Sequence, residues 1–496
     1  KTAHEAVLQE QVDYLTKKLF GTSSEKTHSD IPGQLNLFNE AEAEQDPSLP
    51  EEDCIEEPSP RKKKATHAEL FKGLTVHKQV IPLAEEDKIC PICGTPMERI
   101  GEEYVRRELV FTPARCEIYE YYTESYGCPN CKDGKGDTEK AVIIKSKAAP
   151  ALIGKGPASP STVAWTIYQK YANGMPLYRQ EKDWKEYGAA ISRTTLANWI
   201  IYSAEHYFRP LYDYFHRQLL LREFLMADET RVQVLKEPGR SAESQSFMWL
   251  FRTGEDGQPT ILLYGYTPTR SGSNAADFLN GFRGYLETDG YQGYNKVSGI
   301  KRCSCWAHIR RYFVDAIPKG KQLDYNQPAV QGVHYCDRLA RLESTITSKC
   351  GTDYEKRKQM RLEKEKPVLE AFWAWVDSQH PTRNTRLDKA LTYVKNRRET
   401  SMTYLEDGRC SFTNNLSENA IWPFTVGRKN WLFSDSVEGA QASAITYTMV
   451  EMAKAHNLNI YGYLSYVLEQ RPDETWSDEQ LAELAPWSEK LQTLKI

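Results

Sequence analysis

The sequence predicts a multidomain chain of mixed α/β class, in which a cysteine-bearing strand module and a helical module precede a strand-and-helix core. Three observations predict it. The chain has 496 residues, about three domains at roughly 150 residues each. Two C-x-x-C pairs, Cys90/Cys93 and Cys128/Cys131, flank a stretch dense in Val, Ile, Tyr and Phe. From residue 221 onward, apolar runs of strand length end in acids and alternate with helical patterns. Hydrophobic residues make up 40% and aromatics 11%, enough to build a sizeable core at this length. No apolar run reaches the roughly 18 residues of a membrane-spanning helix, which excludes that class.

The formal net charge of −4 conceals an asymmetry. Residues 1–60 hold 14 acidic against 4 basic residues, a net of −10, so the remaining 436 residues carry +6. An acidic leader precedes a mildly basic body. The 11 cysteines are odd in number and unevenly spaced. No secretory signal precedes them, which points to metal binding in a reducing compartment rather than to a disulfide framework. The first residue is Lys1, so a few native residues are expected to be missing ahead of it.

The elements follow in order. Residues 1–20 form a leucine-rich helix. Its Leu8, Val12, Leu15 and Leu19 make a short a/d seam that packs on its own protein or forms a weak dimer contact. Residues 21–74 form a disordered linker, acidic first and then basic at Arg61, Lys62, Lys63 and Lys64, too polar to bury a core. Residues 75–147 are strands around the cysteines. Residues 148–220 open with a Pro/Gly linker and then turn helical. Ser161 is expected to cap the first helix and Gly174 to Pro176 to break it. A helix to about Tyr187, a turn at Gly188 and a helix capped by Ser192 then make a helix-turn-helix-like pattern. Its second helix would bring Arg193 and Thr195 to a DNA groove. An ordinary helical hairpin fits the same pattern.

Residues 221–317 give three strands, a short helix, a strand, and a strand feeding a helix. Residues 318–384 are helical and strongly charged. Residues 385–456 carry a helix over 385–398, one starting at Asn415 as its cap and ended or kinked by Pro423, and one over 437–456. Residues 457–496 form a helical tail.

The cysteine pairs predict one structural zinc. Each C-x-x-C is a tight knuckle placing two thiolates on one metal, and Cys90, Cys93, Cys128 and Cys131 complete the closed tetrahedral set. Two knuckles joined by strands make a zinc-ribbon pattern. Redox thiols are the competing account, but no helix follows either pair as a thioredoxin-type motif requires.

The acids at strand ends are the second informative feature. Asp228 follows Phe224–Ala227 and Asp289 follows Tyr285–Thr288. A carboxylate at the end of a buried strand is costly unless it is hydrogen-bonded or holds a cation. Two such acids on neighbouring strands, joined by a helix acid, can hold two Mg²⁺ for phosphodiester displacement. Glu418 in NNLSENAI is the favoured third acid. Glu451 and Glu438 are rivals, and Glu229 and Glu287 each neighbour a chosen acid. Arg428, Lys429 and Trp431 beyond Glu418 suit a DNA-facing surface, the cations for phosphates and the ring for a base. A plain surface turn explains them equally.

At these residues the chain resembles the transposases of the insertion sequence sixty-six family, a group of DDE transposases. The resemblance runs over nearly the whole chain through LFGTSSEK, CPICG with CPNC, MPLYRQE, ISRTTLANWI, ADETRVQVL, LETDGYQGYN, CWAHIRRYF, NNLSENAI and VGRKNWLFSDSVEGA. It implies an RNase H-like catalytic core, with Asp228, Asp289 and Glu418 as the magnesium-binding triad (Mn²⁺ substituting). Cys305 and His308 carry over to the periphery of the active site. It implies a helical insertion over 318–384 between the second acid and the third, so that 221–317 and 385–456 form the two parts of the core. The activity implied is metal-dependent cleavage at transposon ends, then transfer of the freed 3′-OH into target DNA. The partners implied are double-stranded DNA, a further copy of the chain and element-encoded accessory proteins, in the cytoplasm and at the nucleoid. A zinc-ribbon DNA-binding regulator with an inactive core is the competing class, and a nuclease of RNA–DNA hybrids another.

Overall fold

The computed structural model describes residues 116–122, 125–127, 143–145, 150–154, 156–318 and 326–494. The leader helix, the linker and the cysteines Cys90, Cys93, Cys128 and Cys131 lie outside the described residues. The chain divides into two compact units. The smaller holds described residues within 116–157 and 177–197, and the larger those within 158–176 and 198–494.

In the smaller unit, β1 (Ser125–Gly127) pairs antiparallel with β2 (Ile143–Lys145), Tyr126 opposite Ile144. Helix α1 (Pro160–Ile167) belongs to the larger unit. Its cap is Ser159, not Ser161: the Ser159 and Thr162 side chains each accept from the other's backbone amide. Pro160, which needs no donor at the first helical position, moves the start upstream. In the smaller unit again come α2 (Leu177–Glu186) and the start of α3 (Arg193–Ser203). Gly188 turns the chain between them at φ +86°, a conformation natural to glycine. Ser192 Oγ accepts from the Thr195 amide at 3.2 Å, and the Arg193 amide donates to Glu181 Oε1 at 3.0 Å.

The larger unit is built on one mixed sheet. After α4 (Arg209–Leu220) come β3 (Phe224–Lys236), β4 (Gln245–Thr253), β5 (Leu262–Thr267), α5 (Gly272–Phe278), β6 (Gly284–Thr288) and β7 (Ile300–Ser304). The sheet order is β5-β4-β3-β6-β7, antiparallel in the first two pairings and parallel in the last two. Parallel pairing of β3 with β6 sets Phe224 opposite Tyr285 and Met226 opposite Glu287. That offset is 61 residues, the same as the separation of Asp228 and Asp289. Continuing the register sets Asp289, the first residue past β6, beside Asp228; Asp228 does not end its strand as expected, because β3 runs on to Lys236 with β4 and β8 paired to it beyond the acid.

Helix α6 (Trp306–Ala316) follows β7 directly. Then come α7 (Pro328–Cys350), α8 (Tyr354–Lys364), α9 (Lys366–Ser378) and α10 (Arg386–Lys395). Helix α9 buries Val368, Leu369, Phe372, Trp373 and Val376, a stripe at helical period. This stripe joins Phe224, Met226, Trp306, Phe313 and Phe412 in one core. Burying the mixed-charge α8 requires pairing: Arg361, fully enclosed, meets Glu343 of α7.

Helix α11 spans Asn415–Trp431 and continues through Pro423, so the expected break does not occur. Proline removes one donor and crowds the carbonyl four residues back. Here that carbonyl belongs to Asn419, an exposed residue of the helix. The downstream half is held by burial of Phe424 and by Trp431, whose ring packs with Tyr171 and Tyr447. The cap position also differs from expectation. Asn414 precedes the helix, and Asn415 is its first residue. Strand β8 (Ser434–Ser436) then pairs parallel with the far end of β3, and α12 (Val437–Ala455) packs on β5. The chain closes with α13 (Ile460–Gln470), α14 (Asp478–Glu483) and α15 (Glu489–Leu494). Among the described residues no helix is long and apolar enough to cross a membrane.

Candidate active site

Three carboxylates from distant parts of the chain meet where β6 ends beside the interior of β3. Asp228 lies on β3, Asp289 is the first residue past β6, and Glu418 sits in the first turn of α11. Asp228 feels the charges of Glu229, Glu418 and Asp289 together. Burial first, then those three carboxylates, push its pKa well above the usual carboxylate range. One backbone bond, from the Glu229 amide at 2.8 Å, offsets this in part. Such a cluster without a cation is electrostatically unfavourable.

Each acid is aimed by its own element. The Tyr291 amide donates to Asp289 Oδ1 at 2.8 Å, and Arg302 Nη2 donates to the Asp289 carbonyl at 3.0 Å. Behind the turn, Arg397 Nη2 donates to the Gly290 carbonyl at 2.6 Å. Glu418 is placed by the start of α11. Asn414 Nδ2 donates to the Ala227 carbonyl of β3 at 3.2 Å, and its amide meets Cys305 Sγ at 3.1 Å. Arg252 Nη1 donates to the Leu416 carbonyl at 2.8 Å, and the Tyr264 hydroxyl to the Ala420 carbonyl.

Cys305 and His308 belong to the same place. Cys305 caps α6 and His308 lies in its first turn, with Nδ1 3.7 Å from Glu418 Oε1. The Cys305 sulfur, a His308 ring nitrogen and a Glu418 oxygen lie within 4.8 Å of one another. Glu418 Oε1 and His308 Nδ1 are buried and have no hydrogen-bond partner, although buried polar atoms are normally paired. These unpartnered atoms and the crowded acids fit a divalent cation held by oxygen ligands, with His308 beside it. Burial pushes the Cys305 thiol far up, with Glu418 and Glu287 adding to it, so it is no thiolate nucleophile.

A fourth acid, Glu229, was named from the sequence only as the neighbour of a chosen acid, and its partners were missed. The Glu229 side chain is only 2% exposed. It accepts from Arg270 Nε at 2.7 Å and from the Tyr294 hydroxyl. Arg270 also approaches Asp289 Oδ2 at 3.7 Å, and its guanidinium lies 4.0 Å over the Tyr291 ring. The apolar run ahead of Glu229 was the only sequence signal, because Arg270 arrives from the loop after β5. Of the rival acids, Glu287 is fully buried on β6 and Glu451 is buried on α12 beside Lys454, while Glu438 is exposed. None of these three is among the charges acting on Asp228.

The DNA-contact candidates are placed unevenly. Lys429 is exposed. Arg428 is half-buried, its Nη1 donating to Thr230 Oγ1 at 3.3 Å. Trp431 is turned inward, against Tyr171 and Tyr447 and beneath Lys170, so it is not an open stacking surface. Arg193 and Thr195 begin α3 in the smaller unit, and Thr195 Oγ1 bonds Ser192 Oγ at 3.0 Å.

A cluster of strand, loop and helix carboxylates on a mixed sheet defines a class of candidate cation-dependent enzymes. Comparison with known proteins narrows it. The family model described as "Transposase IS66 family" matches residues 155–442, and the chain belongs to that family. Further models match along the chain: "zinc-finger binding domain of transposase IS66" over 87–132, "IS66 C-terminal element" over 448–487 and "Transposase C of IS166 homeodomain" over 7–77. Two similar proteins of Sinorhizobium fredii are both named as uncharacterized. Protein y4qI is 27% identical over 436 residues, covering 84% of this chain and 77% of its own length. Protein y4jD is 26% identical over 418 residues, covering 82% and 79%.

Proposed function

We propose that this chain cleaves the ends of its mobile element and joins them to target DNA, with Asp228, Asp289 and Glu418 as the reacting centre of an RNase H-like core. The observation that carries this reading is the convergence of those three acids around a buried, unpartnered Glu418 oxygen. The mixed five-strand order and the family match support it.

Two Mg²⁺ ions (Mn²⁺ substituting) would be held by these carboxylates, and when bound they activate the attacking oxygen and stabilise the leaving one. The chain's own residues orient and neutralise. The Tyr291 amide and Arg302 fix Asp289, Asn414 and Arg252 fix the start of α11, and Arg270 pairs with Glu229 and offsets part of its charge. Positioning of this kind supplies much of the rate in phosphoryl transfer. His308 would steady the free edge of Glu418.

Around this centre, Cys90, Cys93, Cys128 and Cys131, which fall inside the matched zinc-finger region, would hold one structural zinc. The zinc module and the α2–α3 hairpin, through Arg193 and Thr195, would locate the element's end, with Lys429 and Arg428 near the scissile strand. We place the helical insertion at 318–384, between core parts 221–317 and 385–456. Pairing of two ends implies a dimer or larger assembly, with element-encoded accessory proteins as further partners.

The test is Mg²⁺-dependent nicking and strand transfer on oligonucleotides bearing the element's end. Wild type should perform both, and Asp289→Ala should lose each by at least about a thousandfold. Nicking by Asp289→Ala would sink the assignment. Sequence-specific binding with no cleavage by wild type would leave a DNA-binding regulator instead.

A further inference from the structure

We propose that α11 carries a nucleobase-stacking site, with Trp422 as the platform for an unpaired base next to the scissile phosphate. This rests on reading Asp228, Asp289 and Glu418 as the cation-holding centre.

Trp422 is 62% exposed, although tryptophan is on average a highly buried residue. The opposite side of α11 is closed: Ala420, Ile421, Phe424 and Gly427 are all buried. Trp422 is four residues after Glu418, which on a helix means the same face and about 6 Å along the axis. Val426, 40% exposed, and the exposed Lys429 continue that face at helical spacing. One stripe of α11 thus offers a carboxylate for a cation, an indole, an apolar patch and an ammonium.

That order matches the chemistry of a nucleic-acid strand. The cation at Glu418 takes a phosphate, and one helical turn is about the reach from a phosphate to its own base. Lys429, about 10 Å further along, suits a neighbouring phosphate. A base still paired inside a duplex cannot lay its face on a ring so close to the backbone. The occupant is therefore a base unpaired at the element's end, turned out of the helix as enzymes acting on DNA commonly require. The charged groups at both ends of the stripe favour this occupant over the apolar face of a second protein chain. The site falls to Trp422 because Trp431, the other tryptophan of the helix, is locked against Tyr171 and Tyr447.

The experiment uses the full-length protein with Ca²⁺ in place of Mg²⁺, so that binding is read without cleavage. Two labelled duplexes carry the element's end, one fully paired and one with the terminal bases of the cleaved strand unpaired and containing 2-aminopurine. Wild type should bind the unpaired duplex more tightly and quench the 2-aminopurine. Trp422→Ala should lose that preference, roughly 5- to 150-fold in affinity, together with the quenching. It should bind the paired duplex almost as wild type does. Trp422→Tyr should keep most of the preference, because a stacking face remains. Equal preference in wild type and Trp422→Ala overturns the proposal, as does a Tyr variant as impaired as Ala. A change confined to oligomeric state in sedimentation also overturns it, in favour of a second copy of the chain. Because no step requires cleavage, a negative nicking result would strike the catalytic reading while leaving this outcome interpretable.

Discussion

Replacing Arg361 with Met will destabilise the larger unit and loosen the segment that leads to Glu418. The Arg361 side chain is fully buried on α8. Its Nε and Nη2 donate to Glu343 at 2.9 and 2.6 Å. The remaining bonds go to backbone carbonyls: Tyr404 at 2.9 Å, Asp407 at 3.2 Å and Cys410 at 2.9 Å. One guanidinium therefore ties α7 and α8 to residues 404–410, just ahead of α11. Breaking a buried ion pair from one side costs about 3–5 kcal/mol, because the other charge is stranded. Each carbonyl deprived of its donor adds about 1 kcal/mol. Allowing for relaxation, the total is about 5 kcal/mol, a large share of the roughly 5–15 kcal/mol that holds a typical protein folded. Urea unfolding followed by tryptophan fluorescence measures it. The double variant Glu343→Met/Arg361→Met removes the stranded charge and should recover about 2 kcal/mol, a coupling that a double-mutant cycle isolates. A single-variant cost under about 1 kcal/mol, or a double variant no better than additive, would refute the clamp.

Glu365 gives a pH prediction. Burial first, and then the Glu343 charge, push its pKa up to about 9. The folded state thus keeps a proton that the unfolded chain releases near 4.5. The resulting stability is fully present below that lower value and is lost as pH rises towards 9. Glu365→Gln removes the slope, so its thermal midpoint should gain on wild type between pH 6 and pH 9; a constant difference would contradict this. Gly290→Ala tests the turn behind Asp289. The added methyl would lie 2.2 Å from Arg397 Nη2 and 2.6 Å from the Tyr393 hydroxyl. Cleavage should fall at least about tenfold with little change in urea midpoint, and unchanged cleavage would show that the turn does not position the acid.

What the sequence made legible was local. Phe224–Ala227 and Tyr285–Thr288 announce strands by period and composition, and β6 does end at Thr288, just ahead of Asp289; β3, however, runs on through Asp228 to Lys236, because β4 and β8 pair with it beyond the acid. The α2–α3 turn was equally plain, because Gly188 and Ser192 act on their immediate neighbours. Errors came where tertiary packing overrides a local rule. Pro423 signals a stop, yet α11 runs on because Phe424 and Trp431 are pinned by Tyr447. Trp431 beside two cations suggested a stacking ring, but its partner Tyr171 is 260 positions earlier. Arg270 and Glu229 are 41 positions apart, and no pattern in either segment announces the pair.

The separation of 129 positions from Asp289 to Glu418 also gains a physical account. Helix α6 starts beside the acids, since the Cys305 amide donates to the Thr288 carbonyl at 3.3 Å and the Trp306 amide to the Phe412 carbonyl at 3.1 Å. The Trp306 ring stacks on Phe412 and meets Phe372 of α9. Helices α7 to α9 therefore pack against the same aromatic cluster from which the chain enters α11, and Arg361 grips that entry from the other side. A helix whose first turn must hold one acid within reach of acids on two adjacent strands has little freedom for error. An Arg–Glu clamp buried at its approach and Asn414 bonded to the Ala227 carbonyl of β3 both remove that freedom. On this account the helical stretch after α6 acts first as a buttress for Glu418, and any contact it makes with DNA would be added to that role.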